Sequence, residues 1–255
     1  MPNSHVPSGA SLLFLLELGP YQLRVERLPK AVLGRGNENS VNDYNAGCIR
    51  IAEHLTGRAL LEAFVVRLIE AIHYTHGLDD ASTEEHFTHS FAAGVLEFAS
   101  RNPAAWKWLN SQLTSRRRGA HNYAAYATGQ SRWRARAPQE VWVGPHLVDL
   151  AAMAGEKGDQ EGVWGYYLIR RRCVRLHEEL IGRHLAVIVL HELTHAFHHA
   201  ARMRTRETRR RFTRVQAQAW QRFVRDNPDA WCWFLALLRS PRSKAQLLWP
   251  IDSEA

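Results

Sequence analysis

Apolar and polar positions follow a clear order in the first half of the chain. Residues 21–25 alternate between apolar and polar side chains, which predicts a strand. A Gly/Asn-rich loop at 34–39 precedes a second short strand near residues 48–55. The stretch from Arg58 to His76 is almost uniformly apolar and too long for a strand, so it predicts a buried helix.

Two further helices are indicated by their start signals. Thr83 is a capping residue placed ahead of Glu84 and Glu85, and carboxylates stabilise the first turn of a helix. Asn102 followed by Pro103 predicts the start of the next helix. The second half repeats the pattern, with a strand-forming region at 140–180 followed by helices at 182–200, 207–226 and 227–240. The pattern predicts an α+β fold with two modules, each a small β-sheet plus about three helices.

The two halves are copies of one module. A shift of 125 residues gives 20 identities over the 62 positions from 48 to 109, without a gap. Examples are Cys48 with Cys173, Phe87 with Phe212 and Trp106 with Trp231. We therefore expect copy 1 at 18–110, an arginine-rich linker at 111–139 and copy 2 at 140–240. Two covalently joined copies of one module predict a monomeric chain packed as a pseudo-twofold pair.

The strongest chemical motif lies in the apolar helix of copy 2, which contains the sequence His-Glu-Leu-Thr-His over residues 191–195. His191 and His195 are four residues apart and share one helix face, so both imidazoles can bind one Zn²⁺ ion. Glu192 is then placed to act as a general base toward water in metal-assisted hydrolysis. The alternative is a pair of hydrogen-bonded histidines without a metal.

This motif, followed by a second helix and an Asn-Pro start to a third, resembles the small His-Glu-x-x-His proteins of phages and prophages. They belong with the minimal zincin-like metallopeptidases, such as the ImmA/IrrE-type and SprT-like proteins. Copy 1 resembles their downstream helix best, in residues 82–89, 92–94 and 101–103. The resemblance implies a gluzincin-like fold, zinc-dependent hydrolysis of a protein or peptide, and a third zinc ligand on the helix after the motif.

Each copy departs from that pattern in a different way. Copy 1 has Val-Arg-Leu-Ile-Glu at 66–70 in place of the motif, where Arg67 and Glu70 are spaced to form an ion pair. We therefore interpret copy 1 as a degenerate pseudo-copy. Copy 2 keeps both histidines but has Arg209 and Arg210 where copy 1 has its two carboxylates, and cations near Zn²⁺ would weaken binding.

Three candidates remain for the third ligand. Glu207 lies two residues before the expected position and is the preferred one. The second is Glu84 or Glu85 of copy 1, reaching across the interface if the tandem descends from a swapped dimer. His198 or His199 is the third, although His198 aligns with His73 of the copy without the motif, which favours a structural role.

Positive charge is concentrated in the second half of the chain. The formal net charge of +8 arises entirely after residue 125, and seven arginines fall within residues 202–214. Four of them are candidates for contacting an anion, non-specific nucleic acid or an acidic partner: Arg202, Arg206, Arg209 and Arg210. Arg202, Arg206 and Arg210 would share one face if a helix extends through this segment. The alternative is a solvated arginine-rich surface.

Composition narrows the remaining possibilities. The chain is 45% hydrophobic and 23% charged, which is typical of a globular protein, and its three cysteines do not form a disulfide framework. The apolar run near the N-terminus is too short to span a bilayer, so we expect no membrane partner. We expect a cytoplasmic protein, in a phage-infected bacterial host if the resemblance holds. The hypothesis is a zinc metallopeptidase, and the alternative is a non-catalytic phage structural or nucleic-acid- or partner-binding protein that reuses the scaffold.

Overall fold

A computed structural model of the chain describes residues 11–33, 39–114, 138–153 and 164–239. This described part is α+β, with two four-stranded sheets and six α-helices divided equally between the copies. The fold class expected from the sequence is therefore confirmed. Most of the proposed linker, with both of its arginine runs, lies outside the described residues.

The two copies contain the same elements in the same order. Copy 1 comprises β1 (Ser11–Leu18), β2 (Tyr21–Leu28), β3 (Ser40–Asp43), β4 (Cys48–Ala52), α1 (Gly57–Thr75), α2 (Glu84–Arg101) and α3 (Pro103–Thr114). Copy 2 comprises β5 (Glu140–Val143), β6 (His146–Met153), β7 (Gly165–Leu168), β8 (Cys173–His177), α4 (Gly182–Ala200), α5 (Arg209–Asp226) and α6 (Pro228–Arg239).

Both sheets have one topology. The strand order is β1-β2-β4-β3 in copy 1 and β5-β6-β8-β7 in copy 2. The central pairs β2–β4 and β6–β8 are parallel, and the outer pairs are antiparallel. Strand β7 thus lies at a sheet edge, where it contacts α4, the helix that carries the histidine motif.

The boundaries of copy 1 differ from those expected. Strand β1 begins at Ser11, before the predicted start at residue 18, because the apolar run at 12–16 pairs with β2. Helix α3 continues to Thr114, so the linker cannot begin at residue 111. Strand β3 is a short, polar edge strand, and its composition gave no apolar alternation to predict it from.

The second helices pack across the two copies. Helix α2 of copy 1 contacts α4 of copy 2 more extensively than it contacts α1 of its own copy. Helix α5 of copy 2 likewise contacts α1 more extensively than α4. Because of this exchange, residues of α2 lie beside the histidine motif and residues of α5 lie beside the position that lacks it.

Equivalent residues meet at the centre of this arrangement. The rings of Phe87 and Phe212 stack with centroids 4.3 Å apart, and those of Trp106 and Trp231 lie 6.0 Å apart. Each residue aligns with its partner in the repeat, and a residue contacts its own counterpart only near a twofold axis. The two copies therefore pack as a pseudo-twofold pair, with the axis between these rings.

The remaining features of the fold agree with a packed core. The three cysteines, Cys48, Cys173 and Cys232, are buried, form no disulfide and pack as small core residues.

Within the part of the chain that the structure describes, no helix has an apolar stretch long enough to cross a bilayer.

Candidate metal centre

Helix α4 brings the two motif histidines together. One helical turn separates His191 from His195, and their Nε2 atoms lie 3.2 Å apart. Both side chains are mostly buried, with 15% and 22% of their surface exposed. Two nitrogens at this separation, on one rigid helix face, form a preorganised pair of metal ligands.

The third donor comes from copy 1. Glu85, at the start of α2, places Oε1 3.2 Å from His191 Nε2 and Oε2 3.3 Å from His195 Nε2. Each distance is close to the roughly 3.3 Å that separates neighbouring ligand atoms around tetrahedral Zn²⁺ with bonds of about 2.0–2.1 Å, although the two contacts of Glu85 use different carboxylate oxygens. Among the described residues, Glu85, His191 and His195 are the group whose donor atoms converge closely enough to hold a metal ion.

The neighbouring carboxylate, Glu84, sets the orientation of His195. Its Oε1 accepts a hydrogen bond from His195 Nδ1 at 2.9 Å and another from His198 Nδ1 at 2.7 Å. Burial raises the pKa of Glu84, but the bonds from the two histidines outweigh it and hold this pKa well below its usual range. Because Nδ1 of His195 carries the donated proton, its Nε2 is left with a free lone pair toward His191 and Glu85.

The pKa values of the two candidate ligand histidines shift in opposite directions. Burial lowers the pKa of His191 to about 4, so its imidazole is neutral and able to bind a metal at neutral pH. Burial also lowers the pKa of His195, but the hydrogen bond to Glu84 outweighs this and raises it. A cation at Nε2 would require this nitrogen to be unprotonated, with the remaining proton of His195 on Nδ1 facing Glu84.

The glutamate of the motif lies beside the edge strand. Glu192 is 5% exposed, and burial raises its pKa to about 7, although His195 and the backbone N–H of Tyr167 lower it. Gly165 of β7 lets the strand approach closely, since a Cβ there would lie 2.7 Å from Ile188 Cγ2 and 3.3 Å from Glu192 Cγ. A carboxylate with a pKa near neutrality is suited to proton transfer at physiological pH.

The histidines downstream of the motif have structural contacts. Nε2 of His198 lies 3.3 Å from Gln216 Nε2, and its Nδ1 is bonded to Glu84. Nδ1 of His199 lies 3.1 Å from the Tyr167 hydroxyl. Neither joins the converging donor group, so the structure does not support the alternative in which one of them is the third ligand.

The preference for Glu207 as third ligand is wrong in this structure. The Glu207 carboxylate pairs with Arg211 at 3.1 Å, one turn into α5, and accepts from the Arg204 backbone N–H. Glu85 takes the position instead, because α2 and not α5 packs beside the motif. The sequence identified both carboxylates of copy 1 but not which copy their helix would contact.

Arg209 and Arg210 lie away from the histidines for the same reason. The backbone N–H of Arg209 donates to Asp80 Oδ1 at 2.7 Å, and its guanidinium donates to the Leu78 carbonyl, both in copy 1. Arg210 is exposed on the next position of α5. The expectation that these cations oppose metal binding in copy 2 is therefore wrong.

The position in copy 1 that aligns with the motif is filled by polar side chains of its own. Arg67 Nη1 pairs with Glu70 Oε2 at 2.7 Å, as the sequence predicted. Asn42 Nδ2 donates to the same carboxylate oxygen at 3.3 Å, and Arg67 Nε donates to Ser40 Oγ at 3.0 Å. Copy 1 lacks the metal motif, yet it contributes Glu84 and Glu85 to the centre in copy 2.

The arginine-rich segment is not one helical face. Residues 201–208 form turns between α4 and α5, and Arg202 has a left-handed backbone with φ of 53°. Arg202 and Arg206 are exposed in these turns, whereas Arg210 lies within α5. The proposed alignment of Arg202, Arg206 and Arg210 is therefore wrong.

A cavity of about 480 Å³ opens onto the metal centre. Its wall combines the motif residues and both copy 1 carboxylates with the edge strand and the turn after α4, including Tyr166, Tyr167, Ile169, Met203, Arg204 and Thr205. No family model, curated protein or solved structure matches this chain.

Proposed function

We propose that this protein is a zinc-dependent hydrolase of peptide bonds, with one metal centre assembled from both copies. The observation that carries the proposal is the convergence of Glu85, His191 and His195. The two histidine Nε2 atoms lie 3.2 Å apart, and one Glu85 oxygen lies 3.2 Å from the first while the other lies 3.3 Å from the second. The resemblance to the zincin-like metallopeptidases of phages and prophages, drawn from the motif, is part of this proposal.

The residues of the chain have distinct roles in the reaction. His191, His195 and Glu85 hold the ion, and Glu84 fixes the tautomer of His195. Zn²⁺ at this centre supplies a Lewis acid and lowers the pKa of water. Glu192, buried and with its pKa raised to about 7, takes the proton from the attacking water and returns it to the leaving amine. The open cavity gives a polypeptide access to these groups.

The first test is zinc content. Elemental analysis of the wild type is expected to give one zinc per chain, and the His191→Ala/His195→Ala variant is expected to give none. A well-folded wild type that takes up no zinc under saturating conditions would contradict the proposed centre.

A matched pair of variants tests the third ligand. Glu85→Gln removes a carboxylate whose oxygens face both histidines, and zinc affinity should fall by at least about 100-fold, beyond the effect typical of residues that only orient a ligand. Glu207→Gln removes the carboxylate that pairs with Arg211 and should leave zinc affinity unchanged. If Glu207→Gln lowered zinc affinity and Glu85→Gln did not, the third ligand would be Glu207 of copy 2.

The assigned base is tested separately. Glu192→Gln should retain zinc while hydrolysis of labelled casein falls by about 100-fold or more. Unchanged hydrolysis in this variant would exclude Glu192 as the base.

A non-catalytic binding protein is the second candidate, because the turn at 201–208 exposes several arginines. Salt-dependent retention on a DNA column would support it, and no retention at low salt would count against it.

A further inference from the structure

Two turns of copy 2 carry arginine in a backbone conformation that favours glycine. Arg172 has φ of 50° and Arg202 has φ of 53°, and they are the non-glycine residues with positive φ in the described part of the chain. The aligned positions of copy 1 are Gly47 and Gly77, with φ of 62° and 68°. A side chain in this conformation costs stability that glycine does not, so the difference between the copies calls for a functional explanation.

Both turns border the cavity of the metal centre. Arg202 directly precedes Met203 and Arg204, which line the cavity. Arg172 ends the turn that begins with Ile169, and Ile169 lines the cavity. Burial raises the pKa of the cavity-lining residue Tyr167, and the positive charge of Arg172 partly opposes this effect. Copy 2 therefore has arginine at two turns beside the metal centre, where copy 1 has glycine.

The positive charges of these arginines are not neutralised by ion pairs within the described part of the chain. Arg172, Arg202 and Arg204 are exposed, and no carboxylate among the described residues forms an ion pair with them. Arg211 of the same segment, by contrast, pairs with Glu207 at 3.1 Å. Exposed, unpaired guanidinium groups beside a cavity attract a negatively charged ligand.

We propose that the cavity takes an acidic polypeptide segment, whose Asp and Glu side chains pair with Arg172, Arg202 and Arg204. This rests on the proposed peptidase function and names its substrate class. The carboxylates of Glu84, Glu85 and Glu192 line the cavity together with Arg204, whereas Arg172 and Arg202 stand in the turns that adjoin it. A polypeptide has a neutral backbone to place against these carboxylates and acidic side chains to pair with the arginines, whereas nucleic acid presents a phosphate at every nucleotide.

The test measures binding, which does not require cleavage. A short fluorescein-labelled peptide rich in Glu and Asp is titrated with the full chain, and so is its counterpart with Gln and Asn at the same positions. The variants are Arg172→Gly/Arg202→Gly, which restores the residues of copy 1, and Arg204→Gln. Arg225→Gln is the control, since Arg225 is exposed on α5, pairs with Asp226 and does not line the cavity.

The wild type and the control should bind the acidic peptide about tenfold more tightly than its amide counterpart at low salt, and the other variants should bind both within about twofold. The double glycine variant should unfold at a temperature no lower than the wild type, so its loss of binding cannot be attributed to unfolding. Equal binding of the two peptides by the wild type would overturn the proposal, as would tighter binding of a single-stranded DNA of the same net charge. Because the readout is binding, the two failures are distinguishable. Absence of zinc or of casein hydrolysis would contradict the proposed function, whereas equal binding of the two peptides would contradict only the substrate class.

Discussion

At the scale of single residues, Glu84 holds the candidate centre together although it is not one of the proposed metal ligands. Glu84 of copy 1 accepts hydrogen bonds from His195 and His198 of copy 2 and so joins two turns of α4 to the start of α2. Its backbone N–H donates to the Thr205 carbonyl at 3.2 Å, which ties the same residue to the turn after α4. The orientation of a ligand histidine thus depends on a residue from the other copy.

Replacement of this carboxylate should weaken the metal centre without removing a ligand. We expect Glu84→Gln to lower zinc affinity by about 10–100-fold, because the amide holds the His195 tautomer less firmly than a carboxylate does. Competition with a chromogenic chelator measures the change. Glu62→Gln, which removes an exposed partner of Arg58, is the control and should match the wild type. If Glu84→Gln bound zinc as tightly as Glu62→Gln, Glu84 would not orient His195.

A second buried residue predicts a pH dependence of stability. His73 is fully buried with its Nδ1 3.1 Å from Thr213 Oγ1, and burial lowers its pKa to about 3. In the unfolded chain the imidazole takes up a proton below its ordinary pKa of 6.5, so the folded state loses stability as the pH falls from 6.5 toward 3. The slope for one proton is about 1.4 kcal/mol per pH unit.

Urea unfolding of the wild type and of His73→Gln at pH 7.5 and pH 4.5 tests this. The variant is expected to be less stable at both values but to lose about 2 kcal/mol less between them, since it has no imidazole to protonate. Carboxylates that titrate in this range are shared by the two proteins. Parallel losses would show that His73 is already protonated in the folded state.

The sequence identified the residues of the candidate site but could not decide which carboxylate would be the third ligand. Spacing identified His191, Glu192 and His195 as a group, and the resemblance with the comparison of the two copies made Glu84 and Glu85 candidates for the third ligand. The choice of Glu207 followed from proximity along the chain. Proximity in the sequence does not determine which helix packs beside α4, because that depends on contacts between the two copies.

At the scale of elements, the approach of β7 to α4 sets the position of Glu192, the proposed general base. Gly165 allows the strand to lie against the helix, and the backbone N–H of Tyr167 then reaches Glu192. The helices were predicted well from their apolar stretches and capping residues, as in the start of α2 after Thr83. Strand β3 is short and polar, so its composition did not distinguish it from a loop, whereas β7 lies within the region 140–180 that was expected to form strands.

A methyl group at this contact should disturb both elements. In Gly165→Ala the added Cβ would lie 2.7 Å from Ile188 Cγ2 and 3.2 Å from the Arg175 carbonyl oxygen, so strand and helix must separate. We expect a loss of about 1–3 kcal/mol in unfolding free energy. Hydrolysis of casein should fall further than the lower stability explains, because Glu192 moves with the helix. Thermal unfolding and activity measured below the transition separate the two effects.

At the scale of the whole molecule, the copies share a core that neither has alone. Phe87 and Phe212 stack on the pseudo-twofold axis, and the Trp231 indole N–H donates to Asn110 Oδ1 across the interface at 3.0 Å. The repeat in the sequence predicted a pseudo-twofold pair, and the contacts between aligned residues confirm it. The sequence could not show that α2 and α5 pack against the other copy. Aligned helices have similar apolar patterns, so each could pack equally well against its own copy or against the other.

The central stack gives a prediction about the interface. Phe87→Ala and Phe212→Ala should each cost about 3–5 kcal/mol of unfolding free energy, as expected for a fully buried aromatic side chain. The double variant should cost less than the sum, because each single variant already removes the contact between the rings. Urea denaturation of the four proteins forms the cycle. Strict additivity would mean that the two rings do not interact.

The exchange of helices also has a genetic consequence. Since Glu84 and Glu85 stand in the first half of the chain and the three motif residues in the second, inactivating substitutions should map to two separate clusters. Under the proposed function neither half would be active by itself, and substitutions of Glu84 and Glu85 in the half without the motif should inactivate the chain as substitutions of the motif do. Two chains inactivated in different halves could restore one another only by exchanging whole copies, so intragenic complementation would report how readily the fused pair comes apart.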